Sequence, residues 1–139
     1  MFAVGGKQLA ARAEEVESVM PCSDLIPVPS RTPYVNAVIR HDRVVLPVFD
    51  LAARLNVTAP GSAPLCLIAK HENGPLAIRI DPEVPALHMV GTSAVQPHQD
   101  ADPDLLGTYV YETQAIPVLS LARLGATRTE VPRLAKSDR

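Results

Sequence analysis

The stretch from Pro33 to Leu55, PYVNAVIRHDRVVLPVFDLAARL, returns in outline 70 positions later as DLLGTYVYETQAIPVLSLARL, Asp104 to Leu124. Without a gap, Pro47, Val48, Leu51 and Ala52 fall on Pro117, Val118, Leu121 and Ala122. Asp50 falls on Ser120, and both are residue types that cap helices. An internal duplication of units this short predicts two small barrels rather than a single enzyme core.

Each copy has a readable local physics. Val44, Val45, Leu46, Val48 and Phe49 form an apolar, β-branched run too short for a helix, so a strand is expected, with Pro47 at an edge or bulge where its missing N–H is tolerated. A helix should start at Asp50, run through Leu51 to Leu55 and stop at Asn56 in a left-handed conformation. In the second copy Ala115 to Leu119 is the strand, Ser120 the cap, Leu121 to Leu124 a single turn and Gly125 the exit. Ahead of these lie Val35 to Arg40 and Leu106 to Tyr111, joined to them by His41, Asp42, Arg43 and by Glu112, Thr113, Gln114, so each copy reads as a hairpin. A weaker echo relates Phe2 to Ala13, turning at Gly5 and Gly6, to Leu65 to Ile80, turning at Glu72, Asn73 and Gly74. The segments Ala13 to Val16 and Ile80 to Val84 follow these hairpins, differ by one inserted residue and are expected to form a helical turn twice.

With 139 residues, 47% of them hydrophobic, the chain has enough material for one domain or two closely packed subdomains. Its 14 prolines and 4% aromatics favour short strands and loops over long helices. No run approaches the roughly 20 apolar residues of a membrane span, and Met1 leading straight into a strand predicts no signal peptide and a cytoplasmic location. A formal net charge of −2 with scattered basic residues argues against nucleic acid as the main partner. Only Arg128 to Arg139 concentrates basic residues, in what reads as a solvated, frayed tail.

Candidate chemistry is sparse. Cys22 and Cys66 share no ligand spacing with His41, His71, His88 or His98, so no metal is expected; Cys66 reads as a core thiol and Cys22 as a loop thiol kept reduced in the cytoplasm. No nucleophile elbow, zinc-binding helix or glycine-rich phosphate loop is present. Glu14 and Glu15 read as the solvated start of a helix, and His41 with Asp42 as a polar hairpin tip rather than part of a triad. No cofactor is called for.

The order of Gly5-Gly6, Leu9-Ala10, Glu14-x-Val16, Val19-Met20, Ile26-Pro27-Val28-Pro29, Pro33-Tyr34-Val35, Val38-Ile39 and Val45-Leu46-Pro47-Val48-Phe49-Asp50-Leu51 resembles the CheW family of chemotaxis adaptors. Ala77-Ile78-Arg79-Ile80-Asp81 and Ile116-Pro117-Val118-Leu119-Ser120-Leu121 extend the resemblance through the second half. It implies an all-β fold of two intertwined five-stranded SH3-like barrels with short helical turns around a common core. Residues 1–125 would then be a single domain, with one subdomain over roughly 12–64, a second over roughly 65–125 plus the N-terminal strand, and a polar tail over 126–139. The resemblance also implies a non-enzymatic adaptor that couples the cytoplasmic tip of methyl-accepting chemoreceptors to a CheA-type histidine kinase. In that family one barrel contacts the kinase regulatory domain and the groove between barrels takes the receptor tip.

Two positions depart from the family pattern. The first hairpin turn reads Arg40-His41-Asp42-Arg43 where the family has Asn-Leu-Arg-Gly, so the family's Arg and Gly become Asp42 and Arg43, and the family's upstream Gly becomes Ala37. The link from Met89 to Asp104 is short and polar. By resemblance, kinase contact is expected at Val35, Val38, Asp42 and Arg43, and receptor contact around Val16 and Ala37. Burial statistics would instead put Val16, Val35 and Val38 in the core and leave Asp42 and Arg43 as a solvated tip. A β-barrel module binding a peptide or ligand without kinase coupling is the alternative function; a hydrolase built on His41 and Asp42 is a third.

Overall fold

The computed structural model describes residues 1–22, 24–61, 63–97 and 102–125, and the basic tail lies outside them. In chain order the strands are β1 (Phe2–Val4), β2 (Lys7–Ala11), β3 (Val16–Pro21), β4 (Ile26–Pro27), β5 (Val35–His41) and β6 (Val44–Phe49), followed by helix α1 (Leu51–Leu55). After it come β7 (Leu65–His71), β8 (Gly74–Ile80), β9 (Val95–Pro97), β10 (Leu105–Tyr111) and β11 (Gln114–Leu119). Single turns of 3₁₀ helix lie at Ala13–Glu15, Thr92–Ala94 and Leu121–Arg123.

Four hairpins carry the architecture: β1–β2, β5–β6, β7–β8 and β10–β11. They assemble into a five-stranded sheet, ordered β1-β2-β11-β10-β9, and a six-stranded sheet, ordered β3-β7-β8-β6-β5-β4. These are the two SH3-like units; among the described residues no ladder joins the end strands of either sheet, so neither barrel closes. Hairpins are exchanged between the two halves of the chain. β7–β8, from the second half, pairs in parallel with β6 through Val48 and Ala77 and through Phe49 and Ile78. β1–β2, from the first half, pairs in parallel with β11 through Val118 and Ala10 and through Leu119 and Ala11.

The duplication extends beyond the hairpins. Ile26 and Pro27 of β4 face Val38 and Ala37, as Gln96 and Pro97 of β9 face Thr108 and Gly107, every position shifted by 70 (Ile26 to Gln96). Both β5 and β10 carry a bulge at the same place, between Val35 and Ala37 and between Leu105 and Gly107. The polar link from Met89 to Asp104 therefore conceals a strand. With one inserted residue, the counterpart of β3 is the segment around Ala86, whose N–H donates to the Met1 carbonyl at 2.9 Å. That segment forms no strand, and Ile80 to Val84 forms no helical turn, unlike Ala13–Glu15. The Ala86–Met1 pair and the edge contact of His88 with Tyr111, ring centroids 4.8 Å apart, hold this strap, and Val84, Leu87 and Met89 stay exposed.

Three apolar clusters result. One fills the first unit, around Ile39, Leu46, Val48, Ile68 and Ala77. A smaller one fills the second, around Ala10, Ile116 and Val118. The largest lies between them and joins Phe2, Val4 and Leu9 to Phe49, Leu67, Ile78, Leu119 and Leu121.

Acidic side chains cap the helical turns and stitch the units together. Asp50 caps α1 by accepting from the Ala53 N–H at 3.1 Å, and Asn56 closes the helix in the left-handed conformation. Ser120, its counterpart, makes no side-chain cap. That role falls to Glu15, whose carboxylate accepts from the Leu121 N–H at 3.1 Å and the Ala122 N–H at 3.4 Å while pairing with Arg12. Glu15 is thus 4% exposed and not part of a solvated helix start. Asp104, 1% exposed, accepts from Arg54 Nε at 2.8 Å and from the Gly125 N–H at 2.9 Å. Asp81 clamps the β1–β2 turn by accepting from the Gly5 and Gly6 N–H groups, each at 2.8 Å.

The repeat makes one position directly comparable between copies. A Cβ at Gly107 would lie 2.2 Å from the Gln96 carbonyl oxygen, a backbone atom of the adjacent strand that cannot step aside cheaply. The equivalent Ala37 is accommodated in the first unit. Gly107→Ala should therefore lower the unfolding free energy by about 3 kcal/mol, whereas Ala37→Gly should lower it by about 1 kcal/mol or less. Urea denaturation of both variants, with unchanged slopes, measures the difference.

Candidate functional site

The β5–β6 hairpin turns in two residues, Asp42 and Arg43, with φ of 48° and 67°. Glu112 and Thr113 repeat those angles in the β10–β11 turn. His41 and Gln114, expected in the turns, belong to the strands. Positive φ at both central residues is the signature of a turn whose twist matches the hairpin, and it normally selects Asn and Gly. Non-glycine residues occupy it here in both copies, so the geometry is set by the paired strands and not by the turn residues.

Residues directly opposite across an antiparallel ladder share a face. Ile26, Val38 and Pro47 form such a row, and Arg40 with Val45 forms the next. Their neighbours Ala37, Ile39, Leu46 and Val48 point into the first core, so this row lies on the outer face. It is apolar and open: Ile26 is 42% and Val45 is 56% exposed. The second unit presents Gln96, Thr108 and Pro117 in the same row and Val110 with Ala115 in the next. Identical backbone geometry therefore displays an apolar row in one copy and a more polar one in the other.

A second surface opens along β6 toward β8, and Val45 and Pro47 border both it and the outer row. Its parallel pairing with β8 spans two residue pairs only, and ahead of them Pro47 and Pro75 have no N–H to offer a ladder. The strands part there, leaving a groove of about 380 Å³ lined by Val35, Val44, Pro47, Pro75, Leu76 and Gly125, among others. Its end wall comes from the second copy: His71 Nε2 lies 2.8 Å from the Leu124 carbonyl, and the Glu72 N–H donates to the Ala122 carbonyl at 2.8 Å. Val44, 53% exposed, stands at its mouth.

The six expected contact residues fall into different environments. Val38 is half-buried in the outer row; Asp42 and Arg43 stand exposed at its tip. Val35 is half-buried on the groove side and packs on the central core. Val16 opens β3, pairs with Ala69 and packs against the same core. Ala37 is 6% exposed and lies inside the first unit, so it presents no side chain to a partner. The hairpin thus brings Val38, Asp42 and Arg43 together, while Val16 and Ala37 are set apart from them. Ile26, Val45, Pro47, Pro75 and Leu76, not singled out from the sequence, line these two surfaces. A position-by-position comparison of the copies carries the signal, since Ile26 stands against Gln96 and Val45 against Ala115.

Catalytic geometry is weak at the hairpin tip. His41 Nε2 is 3.7 Å from Asp42 Oδ2, beyond hydrogen-bonding distance, and Asp42 is solvated. Among the described residues no group of His, Cys, Asp or Glu is arranged to hold a metal ion, and no described helix is long and apolar enough to cross a membrane.

Comparison with known proteins agrees with this architecture. The family description "CheW-like domain" matches residues 1–126. A solved structure, the scaffolding protein TtCheW from Thermoanaerobacter tengcongensis, superposes with a TM-score of 0.74 at 14% identity, covering 88% of this chain and 87% of that one. No curated protein matches by sequence.

Core and surface positions on this hairpin should separate cleanly in stability. Val45→Asp, on the open face, should change the unfolding free energy by no more than about 0.5 kcal/mol. Ala37→Asp, which buries an unpaired carboxylate eight positions away, should lose more than about 3 kcal/mol. Thermal melts by circular dichroism test the pair.

Proposed function

The chain belongs to the CheW-like domain family, and from that premise we propose that it is a non-catalytic adaptor of chemotaxis-type signal transduction. It couples the cytoplasmic tip of chemoreceptors to a CheA-type histidine kinase and works in the cytoplasm beneath receptor arrays. The observation that carries this reading is the asymmetry between copies: the duplicated hairpin keeps its register while Gln96, Thr108 and Ala115 become Ile26, Val38 and Val45, and Val110 becomes the charged Arg40 beside them. Exposed apolar rows rimmed by charge are the chemistry of protein–protein contact.

The kinase regulatory domain is assigned to this outer row. Ile26, Val38, Val45 and Pro47 would be covered centrally, with Arg40, Asp42 and Arg43 at the rim. Buried apolar anchors dominate affinity, whereas rim charges tune encounter rate and specificity. Reversal of charge at Asp42, relative to the family's Arg, then matches this chain to a partner with a correspondingly altered rim. The receptor tip is assigned to the groove between β6 and β8, closed at its end by the second unit, where Val35, Val44 and Pro75 offer an apolar trough for one face of a helix. Val16 and Ala37 support that site from within by packing β3 and β5, without touching the receptor.

Titration against a CheA-type regulatory domain tests the kinase surface. Val45→Asp should weaken binding at least about 30-fold, as expected for a central anchor worth about 2 kcal/mol. Asp42→Arg should change the salt dependence and the preference among kinase partners. If both folded variants bind as the parent does, the outer row is not the kinase surface, and a CheW-like module without kinase coupling becomes the better reading.

A further inference from the structure

We propose that Cys22 and Cys66 are a redox-closable dithiol that oxidises to an internal disulfide cross-linking the exit of β3 to β7. The two residues are 44 positions apart, and sequence spacing assigned them separate, inert roles. The fold brings them together. Met20 pairs with Cys66 in the β3–β7 ladder, and the Cys22 N–H continues that edge by donating to the Pro64 carbonyl at 3.1 Å. Cys22 thus sits diagonally across from Cys66, and the Cys66 thiol donates to the Cys22 sulfur at a separation of 2.8 Å. Both sulfurs are reduced in this structure, and a disulfide bond of about 2.05 Å needs them to close by less than 1 Å.

The environments of the two thiols differ in a way that orders the reaction. Cys22 is partly exposed and Cys66 is buried in the core of the first unit with Ile68 and Ala77. Burial and the contact with Cys22 push the Cys66 thiol well above its ordinary pKa, so it is the poorer nucleophile. A low-molecular-weight disulfide, RSSR, is the oxidant class. The Cys22 thiolate attacks one sulfur of RSSR, the S–S bond of the oxidant breaks, and one RS⁻ leaves and is protonated. Cys66 then releases its proton and attacks the Cys22 sulfur of the mixed disulfide, expelling the second RSH. Two protein S–H groups become one S–S bond, and RSSR is reduced to two RSH. Each step needs a thiolate, so closure should accelerate as pH rises.

The test uses the full chain and glutathione disulfide as the probe. After incubation of the native protein, denaturation and alkylation should modify neither cysteine. Its mass should be lower by two hydrogens, a non-reducing digest should contain the Cys22 peptide joined to the Cys66 peptide, and dithiothreitol should restore both alkylation sites. Cys22→Ser and Cys66→Ser should each keep one alkylatable or glutathionylated cysteine and yield no internal cross-link. Two alkylatable cysteines in the treated parent, a persistent glutathione adduct at Cys22, or disulfides formed only between molecules would each overturn the proposal.

Discussion

Neither half of this chain can complete a sheet by itself, and the exchange of hairpins that solves the problem governs everything else. β6 ends against β8 from the second half, and β11 ends against β2 from the first. Each parallel ladder is only two residue pairs long, so its hydrogen bonds contribute modestly. What holds the exchange is the apolar surface that it brings together: Phe2, Val4 and Leu9 meet Phe49, Leu67, Ile78 and Leu119 in one central core that belongs to both halves. The two smaller cores are private to their units, and the shared one makes them inseparable.

Around that core, carboxylates do the linking that hydrophobic contact cannot orient. Glu15 lies in the first half and caps the 3₁₀ turn of the second; Asp104 lies in the second and accepts from Arg54 on the helix of the first. Asp81 follows β8 and holds the turn of β1 and β2. Each joins backbone N–H groups or a guanidinium from one half to a carboxylate of the other. A buried acid left unpaired would cost several kcal/mol, so Glu15 and Asp104 restrict the ways in which the halves can dock.

Duplication supplies an internal control for function. Where the copies agree, as in the bulges of β5 and β10 and the left-handed turns at Asp42–Arg43 and Glu112–Thr113, the requirement is structural. Where they differ on the same face, as at Ile26 and Gln96 or Val38 and Thr108, packing makes no demand and the choice is open to partner recognition. The groove is a further consequence of local chemistry, since Pro47 and Pro75 stop the β6–β8 ladder from zipping past Val48 and Ala77.

The hairpins, the Asp50 cap, the Asn56 stop and the correspondence between copies were legible in the sequence because each depends on neighbours within a few residues or on a repeated pattern. Alternation and turn residues report local backbone preference, and the 70-residue offset reports homology between halves. The resemblance implied that the N-terminal strand joins the second subdomain, but the pairing of β7–β8 with β6 was not legible, nor were the burial of Glu15 and the approach of Cys22 to Cys66. Those depend on which strand lies beside which, and residues 106 positions apart in the case of Glu15 and Leu121 leave no local trace of their meeting. β9 was missed for a related reason: its three residues, Val95, Gln96 and Pro97, have no strand pattern of their own and are extended because β10 offers them a ladder. At the site, the sequence determined a charged hairpin tip with valines behind it. Only the tertiary structure decided that Val38 faces outward with Ile26 and Val45 while Ala37 faces in, because the bulge between Val35 and Ala37 resets the alternation and the direction of the core decides which face is left to a partner.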